Sequence, residues 1–340
     1  MTGILYSLTR KWRHVILPRK NRLSSKTSIA LLSLTLLAAL LSSLACSSSS
    51  APTTTPTPSA SGYPITVTDF LGRSVQISEK PIRIVTTHPT ATETLYRAGG
   101  SAVGCDASSK YPSEVQALPK VGSAYGLSTE AISALSPDLI LIESLTQANL
   151  VNPLEQLGVP IVALRAASLD DIVNGLSLVG EIVDTKDTAA QAVVDIQDRI
   201  DAARGNSTGN KTALILISDA QRNIYAAKPE SYPGGVAALI NLGNPATGMP
   251  DTGPYPGFTL FTGEQALTSN PDIVFTISPA PPPAPRLSAV LLQTPGFNQI
   301  PAVKAGHVVE LDPMLFLQAQ GPRIADAVEK MLRLLNEVSS

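Results

Sequence analysis

Two glutamates, Glu130 and Glu264, stand at equivalent points of a sequence pattern that occurs twice. In each copy the glutamate opens a short helical segment, a Pro-Asp pair ends that segment seven residues later, and a short apolar run follows. A carboxylate in the first turn of a helix is stabilised by the helix dipole by about 0.3–1 kcal/mol. An exposed carboxylate can also pair with an arginine of a partner protein. The residues alone leave both roles open.

The spacing of the two copies bears on catalysis. They begin 134 residues apart, about half of the chain that follows the leader, and a repeat of this kind predicts two similar lobes. Paired carboxylates that hydrolyse glycosides stand within about 10 Å of each other, whereas equivalent points of two lobes are expected to be far apart. The chain has no His-Glu-x-x-His or Gly-x-x-x-x-Gly-Lys motif, and its Gly-x-Ser-x-Gly match at residues 205–209 ends a helical pattern instead of joining a strand to a helix, as a nucleophile elbow would. We therefore predict a protein that is not an enzyme.

Side chains that bind metals are few. Beyond the leader the histidines are His88 and His307, far apart in sequence, whereas a zinc site draws several histidines, cysteines or carboxylates together. His88 follows a predicted strand, where a single imidazole could ligate heme iron or could serve the loop itself. Glu93 follows Thr90 at the spacing of a capping box, which favours a structural role. Cys105 lies in an apolar stretch and is predicted to be a buried small hydrophobe.

Aromatic residues are 4% of the chain, yet they gather in the segments that follow predicted strands. The candidates for a ligand cleft, with one arginine among them, are Tyr111, Tyr125, Arg222, Tyr225, Tyr255, Phe258 and Phe316. Open α/β sheets bind ligands beyond the carboxyl ends of their strands. An aromatic and mostly uncharged cleft suits a large, flat or bulky ligand held by contact area. Each of these aromatic side chains could instead belong to the core.

The elements that must position these residues are short apolar runs alternating with helical patterns. The predicted strands are Ile82–Thr86, Leu139–Ile142, Ile161–Leu164, Leu214–Ile217, Ile273–Phe275 and Val308–Leu311. Apolar runs of four without alternation, such as Leu139–Ile142, are typical of parallel strands that are buried on both faces. An apolar stripe over residues 184–205 predicts one long helix between two lobes, 63–183 and 206–340. The fold class is therefore α/β, with two Rossmann-like lobes whose parallel sheets are joined by that helix.

The N-terminal segment has the pattern of an export signal. Residues 1–45 carry basic residues, then an apolar run, then small residues before Cys46. Leu44-Ala45-Cys46 resembles the end of a bacterial lipoprotein signal, which implies that Cys46 is lipidated, with ordinary cleavage or a retained membrane helix as the alternatives. Residues 46–62 are rich in serine, threonine and proline and are predicted to be an extended tether. The body would then be held outside the cytoplasm, at the outer face of the cytoplasmic membrane or in the periplasm.

The net charge of −2 is the sum of a basic N-terminal segment and an acidic remainder. Seven of the 25 basic residues precede Asp69, the first acidic one, so the rest of the chain has 18 basic and 27 acidic side chains, a net charge of about −9. A body this acidic is a poor partner for nucleic acid. With 44% apolar and 15% charged residues, the chain is not intrinsically disordered.

An ordered set of short motifs resembles the periplasmic substrate-binding proteins of ABC importers for vitamin B12 and iron–siderophore complexes. The set runs from about residue 65 to 335 and comprises Val67–Val75, Pro81–Val85, Pro89–Leu95, Tyr111-Pro112, Pro119–Gly122, Glu130 with Pro137-Asp138, Glu264 with Pro271-Asp272, Pro301–Lys304 and Gly321–Arg323. The resemblance implies a ligand cleft between two lobes and a long connecting helix that limits their opening. It also implies that Glu130 and Glu264 dock against arginines of the permease.

The resemblance implies, in addition, an ABC permease and ATPase as partners, a monomeric binding protein without an intrinsic cofactor, and a metal chelate as ligand. A corrinoid and a ferric siderophore remain equally compatible with the residues. Tyr225 and Phe258 match aromatic positions of B12 binders, but the rest of the aromatic pattern departs from theirs. The alternatives are a heme receptor of the same fold, with His88 as the iron ligand, and an exported enzyme or sensor lipoprotein that uses the same cleft.

Overall fold

The computed structural model describes residues 62–207 and 210–339. The predicted leader, Cys46 and nearly all of the predicted tether lie outside these residues. The described residues belong to one compact unit, which falls within residues 56–340. Within the described ranges, no helix has the length and hydrophobicity needed to span a bilayer.

The N-terminal half begins with a two-stranded hairpin and continues as alternating strands and helices. Its strands are β1 (Ile65–Thr68), β2 (Ser74–Ile77), β3 (Ile84–Thr86), β4 (Ala102–Cys105), β5 (Gly122–Ser123), β6 (Gly126–Leu127), β7 (Leu139–Glu143) and β8 (Ile161–Leu164). Its helices are α1 (Pro89–Arg97), α2 (Thr129–Ala134), α3 (Ser144–Gln147), α4 (Val151–Glu155) and α5 (Leu169–Ile182). A long helix, α6 (Lys186–Gly205), leads to the second half.

The C-terminal half has strands β9 (Ala213–Ser218), β10 (Ile224–Ala227), β11 (Phe258–Leu260), β12 (Ile273–Ile277) and β13 (Val308–Leu311). Its helices are α7 (Tyr232–Leu239), α8 (Gly263–Ser269), α9 (Leu287–Leu291), α10 (Pro301–Lys304) and α11 (Ile324–Ser339). We call the parts before and after α6 the N-terminal lobe and the C-terminal lobe. The predicted ranges 63–183 and 206–340 each contain one of the two larger sheets, and their exact boundaries stay predictions.

The sheet of the N-terminal lobe is parallel throughout, in the order β4-β3-β7-β8. Every residue of β7 and β8 is buried, as expected for strands covered on both faces by helices. The sheet of the C-terminal lobe has the order β11-β10-β9-β12-β13. In that sheet β9, β12 and β13 are parallel, but β10 and β11 are antiparallel to their neighbours. The prediction of two parallel sheets therefore holds for the first sheet and for the three-stranded half of the second.

The connecting helix lies where the apolar stripe predicted it. The buried positions of α6 are Ala189, Ala192, Ile196, Ile200 and Ala203, all on one face. That face packs against α5 of the N-terminal lobe and against α11 of the C-terminal lobe. One continuous core cluster consequently includes buried residues of both lobes, such as Leu141, Ile196, Ile215 and Met331.

Candidate functional site

Glu130 lies on the surface in the first turn of α2. Ser128 caps this helix, since its hydroxyl accepts a hydrogen bond from the Ala131 backbone amide (3.1 Å). The same hydroxyl lies 3.1 Å from Oε2 of Glu130 and donates to it. Hydrogen bonds from its own backbone amide and from Ser128 lower the pKa of the Glu130 carboxyl. Glu130 is therefore an exposed, ionised and locally held carboxylate.

Glu264 occupies the same position, two residues after the cap of α8. Thr262 and Gln265 form a capping box, in which the Thr262 amide donates to Oε1 of Gln265 (2.8 Å) and the Gln265 amide donates to the Thr262 hydroxyl (3.2 Å). Because Gln265 supplies the capping side chain, Glu264 is not needed for it and stays exposed. It borders a groove of about 380 Å³ that Phe261 and Met249 also line.

The sequence repeat has a structural counterpart beyond the glutamates. After α2 and α8 the chain turns through a left-handed residue, Ser136 (φ 45°) or Asn270 (φ 43°). The aspartate of the following Pro-Asp pair then accepts hydrogen bonds from the chain that enters a neighbouring strand. Asp138 accepts from the Arg83 amide (2.9 Å), and Asp272 accepts from the Thr212 amide (2.7 Å). The helix that carries each glutamate is thus connected to its own sheet by the same local structure.

The aromatic candidates of the N-terminal lobe are exposed. Tyr111 is 49% exposed and Tyr125 is 84% exposed. Tyr125 lies in the turn between β5 and β6, whose tight approach needs Gly122, since a Cβ there would lie 2.3 Å from the Gly126 carbonyl oxygen. The turn is anchored by Gln147, whose Nε2 donates to the Ala124 carbonyl oxygen (2.7 Å).

Gln147 is fully buried and uses all of its amide. Its Nε2 also donates to the Thr87 carbonyl oxygen (2.9 Å), while its Oε1 accepts from the Thr87 hydroxyl (2.8 Å) and from the Glu143 amide (3.0 Å). The side chain thereby joins the carboxyl ends of β3 and β7 to the turn that carries Tyr125. Nothing in the local sequence pattern identified this residue, because Thr87 and Ala124, two of its three partners, are distant in the chain.

In the C-terminal lobe the aromatic candidates form a cluster. The rings of Tyr225 and Tyr255 meet edge to face at 5.4 Å, and those of Tyr255 and Phe258 at 6.3 Å. Tyr225 and Phe258 are each 5% exposed, whereas Tyr255 is half-buried. The Tyr225 hydroxyl donates to Oδ2 of Asp219 (3.1 Å) across the β9–β10 turn. Arg222 lies exposed in that turn, with a φ of 66°.

Phe316 was predicted to line the cleft, but it has no exposed surface and lies in the main core cluster. It belongs to a π-helical turn, Met314–Gln318, that packs against α7 and α11. No ligand can contact its side chain in this structure. The prediction for Phe316 is therefore wrong, because a loop position after a strand does not distinguish a core aromatic from a cleft aromatic.

A family match decides what kind of protein this is. Residues 84–315 match the family described as periplasmic binding protein. The chain belongs to the periplasmic binding protein family. The resemblance inferred from the short motifs and the two-lobed α/β fold are both confirmed.

Similar family members are known from bacteria. The chain is 25% identical over 279 residues to an uncharacterized ABC transporter substrate-binding lipoprotein, YvrC, of Bacillus subtilis (strain 168), covering 79% of this chain and 84% of that protein. It is 25% identical over 259 residues to the vitamin B12-binding protein of Vibrio parahaemolyticus, covering 75% and 90%. The crystal structure of the petrobactin-binding protein YclQ of Bacillus subtilis superposes with a TM-score of 0.67 at 19% identity, covering 81% and 98%. The relatives named here are binding proteins rather than enzymes.

His88 serves the fold of this family member. It is the N-cap of α1, where its Nδ1 accepts a hydrogen bond from the Thr90 amide (3.2 Å). Burial lowers the pKa of His88, although the carboxylates of Glu143 and Asp106 oppose the shift. A neutral ring whose Nδ1 accepts must carry its proton on Nε2, so neither nitrogen is free to ligate iron. In the described part of the chain, no group of three or more histidine, cysteine or acidic side chains is placed to hold a metal ion.

Glu93 was predicted to form a capping box with Thr90, and this interpretation is wrong. Pro89 occupies the first turn of α1 and His88 is the cap, so Glu93 lies beyond the capping position. Its carboxylate is buried instead and forms two hydrogen bonds with Arg323, both of 2.9 Å. Since Arg323 directly precedes α11, this ion pair connects the N-terminal lobe with the C-terminal lobe.

Proposed function

We propose that this protein is the substrate-binding component of an ABC importer and that it captures a metal chelate between its two lobes. The family match over residues 84–315 carries this proposal. It is supported by the parallel strands, whose carboxyl ends in an open α/β sheet are where ligands bind. The names of the relatives support the chelate, since one binds vitamin B12 and the structural neighbour YclQ binds petrobactin.

The proposed ligand surface lies along the carboxyl edges of the two sheets. Tyr111 and Tyr125 offer exposed aromatic area on the N-terminal lobe, and Tyr255 is the half-buried aromatic of the C-terminal lobe. Arg222 is exposed in the β9–β10 turn, at the carboxyl end of β9. One exposed arginine among aromatic side chains suits a weakly charged corrinoid or ferric siderophore. The structure supports heme less well, because the cap of α1 already uses His88.

The proposal includes the placement of the protein in the cell. Cys46 would carry the lipid that holds a monomeric body at the outer face of the cytoplasmic membrane or in the periplasm. The name of the relative YvrC, a substrate-binding lipoprotein, supports this anchor. The ABC permease and ATPase would then receive the chelate from the anchored protein.

A thermal-shift panel tests the function directly. The compact unit 56–340 would be heated with cyanocobalamin, hemin, a ferric hydroxamate and a ferric catecholate, each over a range of concentrations. A ligand that binds the folded state alone stabilises it by about 2.7 kcal/mol at a hundred times its Kd. We expect the corrinoid or one ferric siderophore to raise the midpoint progressively. A panel in which no chelate changes the midpoint would contradict the proposed ligand class.

The permease-docking role of Glu130 and Glu264 is tested by charge reversal. Because both carboxylates are exposed, the double variant Glu130→Arg/Glu264→Arg should fold and bind the chelate with unchanged affinity. Uptake of the radiolabelled chelate by intact cells should fall to the background of a strain that lacks the protein, since arginines would face arginines. The matched control is Glu79→Arg/Glu337→Arg, which makes the same charge change at exposed sites elsewhere. Normal uptake by the first variant would remove the docking role.

A further inference from the structure

Glu93 and Arg323 form a two-pronged ion pair between the two lobes. Nε and Nη2 of Arg323 donate to the two carboxylate oxygens of Glu93, each at 2.9 Å. The side chain of Glu93 is 3% exposed and that of Arg323 is 20% exposed. A two-pronged pair of this kind fixes orientation as well as distance. Glu93 is on α1 and Arg323 precedes α11, so the fixed orientation is that of one lobe relative to the other.

Arg323 also contacts a residue of the proposed ligand surface. Its guanidinium carbon lies 4.7 Å from the centroid of the Tyr111 ring, within the range of a cation–π contact. Tyr111 keeps about half of its surface exposed, at 49%. A shift of Arg323 would therefore change the support of an aromatic side chain assigned to the proposed ligand surface.

Two clefts lie between the lobes. Glu93 and Arg323 line the first, of about 260 Å³, together with Tyr96 of the N-terminal lobe and Asp326 of the C-terminal lobe. The second, of about 280 Å³, is lined by Ser168 of the N-terminal lobe and Tyr232 of the C-terminal lobe. Close packing resists deformation, and the two lobes are not in contact where these clefts open. A small change in the relative orientation of the lobes can therefore be taken up there.

We propose that Glu93 is a positioning residue, which acts through Arg323 to set the separation of the lobes and the placement of Tyr111. This goes beyond the proposed function, because it concerns the lobes themselves and holds whichever chelate they bind. The helix α6 joins the lobes covalently and one core cluster spans both of them, so the ion pair would adjust their relative orientation rather than hold them together.

The charge of Glu93 responds to pH near neutrality. Burial raises the pKa of its carboxyl to about 7, although the hydrogen bonds and charge of Arg323 oppose the shift. Asp326 on α11 adds to the increase. The other ionisable groups around the junction are Tyr232 on α7, Tyr111 and Glu114 after β4, Arg199 on α6, and Tyr96 and Arg97 on α1 itself. Protonation removes the negative charge of Glu93 and weakens its ion pair with the Arg323 guanidinium. The orientation of the lobes should therefore be less tightly constrained on the acidic side of neutrality.

Distance measurements between spin labels test this inference without any ligand. Labels at Ser123→Cys and Gln221→Cys place one probe on each lobe at exposed sites of the compact unit 56–340, in which the native Cys105 is buried. We expect a narrow distance distribution at about pH 8 and a distribution at least twice as broad at about pH 6, roughly one unit on either side of the pKa. A distribution that does not change between these pH values would overturn the proposal.

Variants separate the pair from a general effect of pH. Glu93→Gln should give the broad distribution at both pH values. Arg323→Lys keeps the charge but cannot form the two-pronged pair, so it should do the same.

The matched control is Glu329→Gln on α11, six residues after Arg323. It removes an exposed two-pronged ion pair with Arg199, whose two hydrogen bonds are both 2.8 Å. Arg199 lowers the pKa of Glu329, so this control should keep the wild-type pH response. A full pH response in Glu93→Gln would assign the change to another group. Failure of the chelate panel would leave these distance results unaffected.

Discussion

The candidate aromatic side chains of the two lobes differ in their exposure to solvent. Tyr125 and Tyr111 of the N-terminal lobe are 84% and 49% exposed, whereas Tyr225 and Phe258 of the C-terminal lobe are each 5% exposed. All four come from segments that the sequence places near the carboxyl ends of strands or next to them. The difference shows that an aromatic residue near the proposed ligand edge can serve two purposes. In one lobe it is available to a ligand, and in the other it stabilises the edge itself.

The interactions that hold the segments carrying these side chains explain the difference in their exposure. In the N-terminal lobe the buried amide of Gln147 makes four hydrogen bonds, three to the strand ends and one to the turn, so the turn is held without aromatic packing. In the C-terminal lobe the same task falls to β10, β11 and their aromatic contacts, because these strands form an antiparallel edge rather than a strand–helix unit. Tyr255 remains the member of that cluster with surface left for a ligand.

The largest effect expected from this comparison is on stability, at Phe316. Replacing a fully buried phenylalanine by alanine removes its apolar contacts and leaves a cavity, which costs about 3–5 kcal/mol. Urea unfolding of Phe316→Ala, followed by circular dichroism, should therefore show a large decrease in the midpoint. Phe316→Leu is the matched control and should lose much less. If Phe316→Ala unfolds like the wild type but fails to bind the chelate, Phe316 belongs to the ligand surface after all.

The sequence predicted the elements best where local pattern decides them. The bounds of β8 and β13 were predicted to the residue, because each is a short run between turn signals. The strand β10 was missed, since it comes only six residues after β9 and its Tyr225 was assigned to a ligand loop. Because β10 was missed, the antiparallel edge of the second sheet was not predicted either. Its pairing depends on β11, which lies more than thirty residues further along the chain.

The site was predictable where it depends on a repeat and unpredictable where it depends on distant partners. Glu130 and Glu264 could be paired from sequence because the same local structure surrounds both. Glu93 was misinterpreted because a local rule fitted Thr90, while its true partner, Arg323, is 230 residues away. Burial of the candidate aromatics was equally inaccessible, since Tyr125 and Phe316 follow similar sequence signals.

Tyr125→Ala should have the smallest effect on stability and a clear effect on binding. A side chain that is 84% exposed contributes little to the core, so the free energy of unfolding should stay within about 0.5 kcal/mol of the wild type. If the ring contacts the chelate, its loss should weaken binding about tenfold, which corresponds to about 1.4 kcal/mol. Isothermal titration with the chelate that stabilises the protein in the thermal-shift panel measures the second quantity, and urea unfolding measures the first.

Val194→Ala provides the control for this prediction, because Val194 is also an exposed apolar residue, 47% accessible, but lies on α6. Neither the stability nor the affinity of this variant should change appreciably. A Tyr125→Ala variant that binds as tightly as Val194→Ala would show that exposure at the strand ends is not sufficient for ligand contact. The aromatic area of the cleft would then have to come from Tyr111 and Tyr255, the two remaining candidates with exposed surface, and the contrast between the lobes would lose its functional meaning.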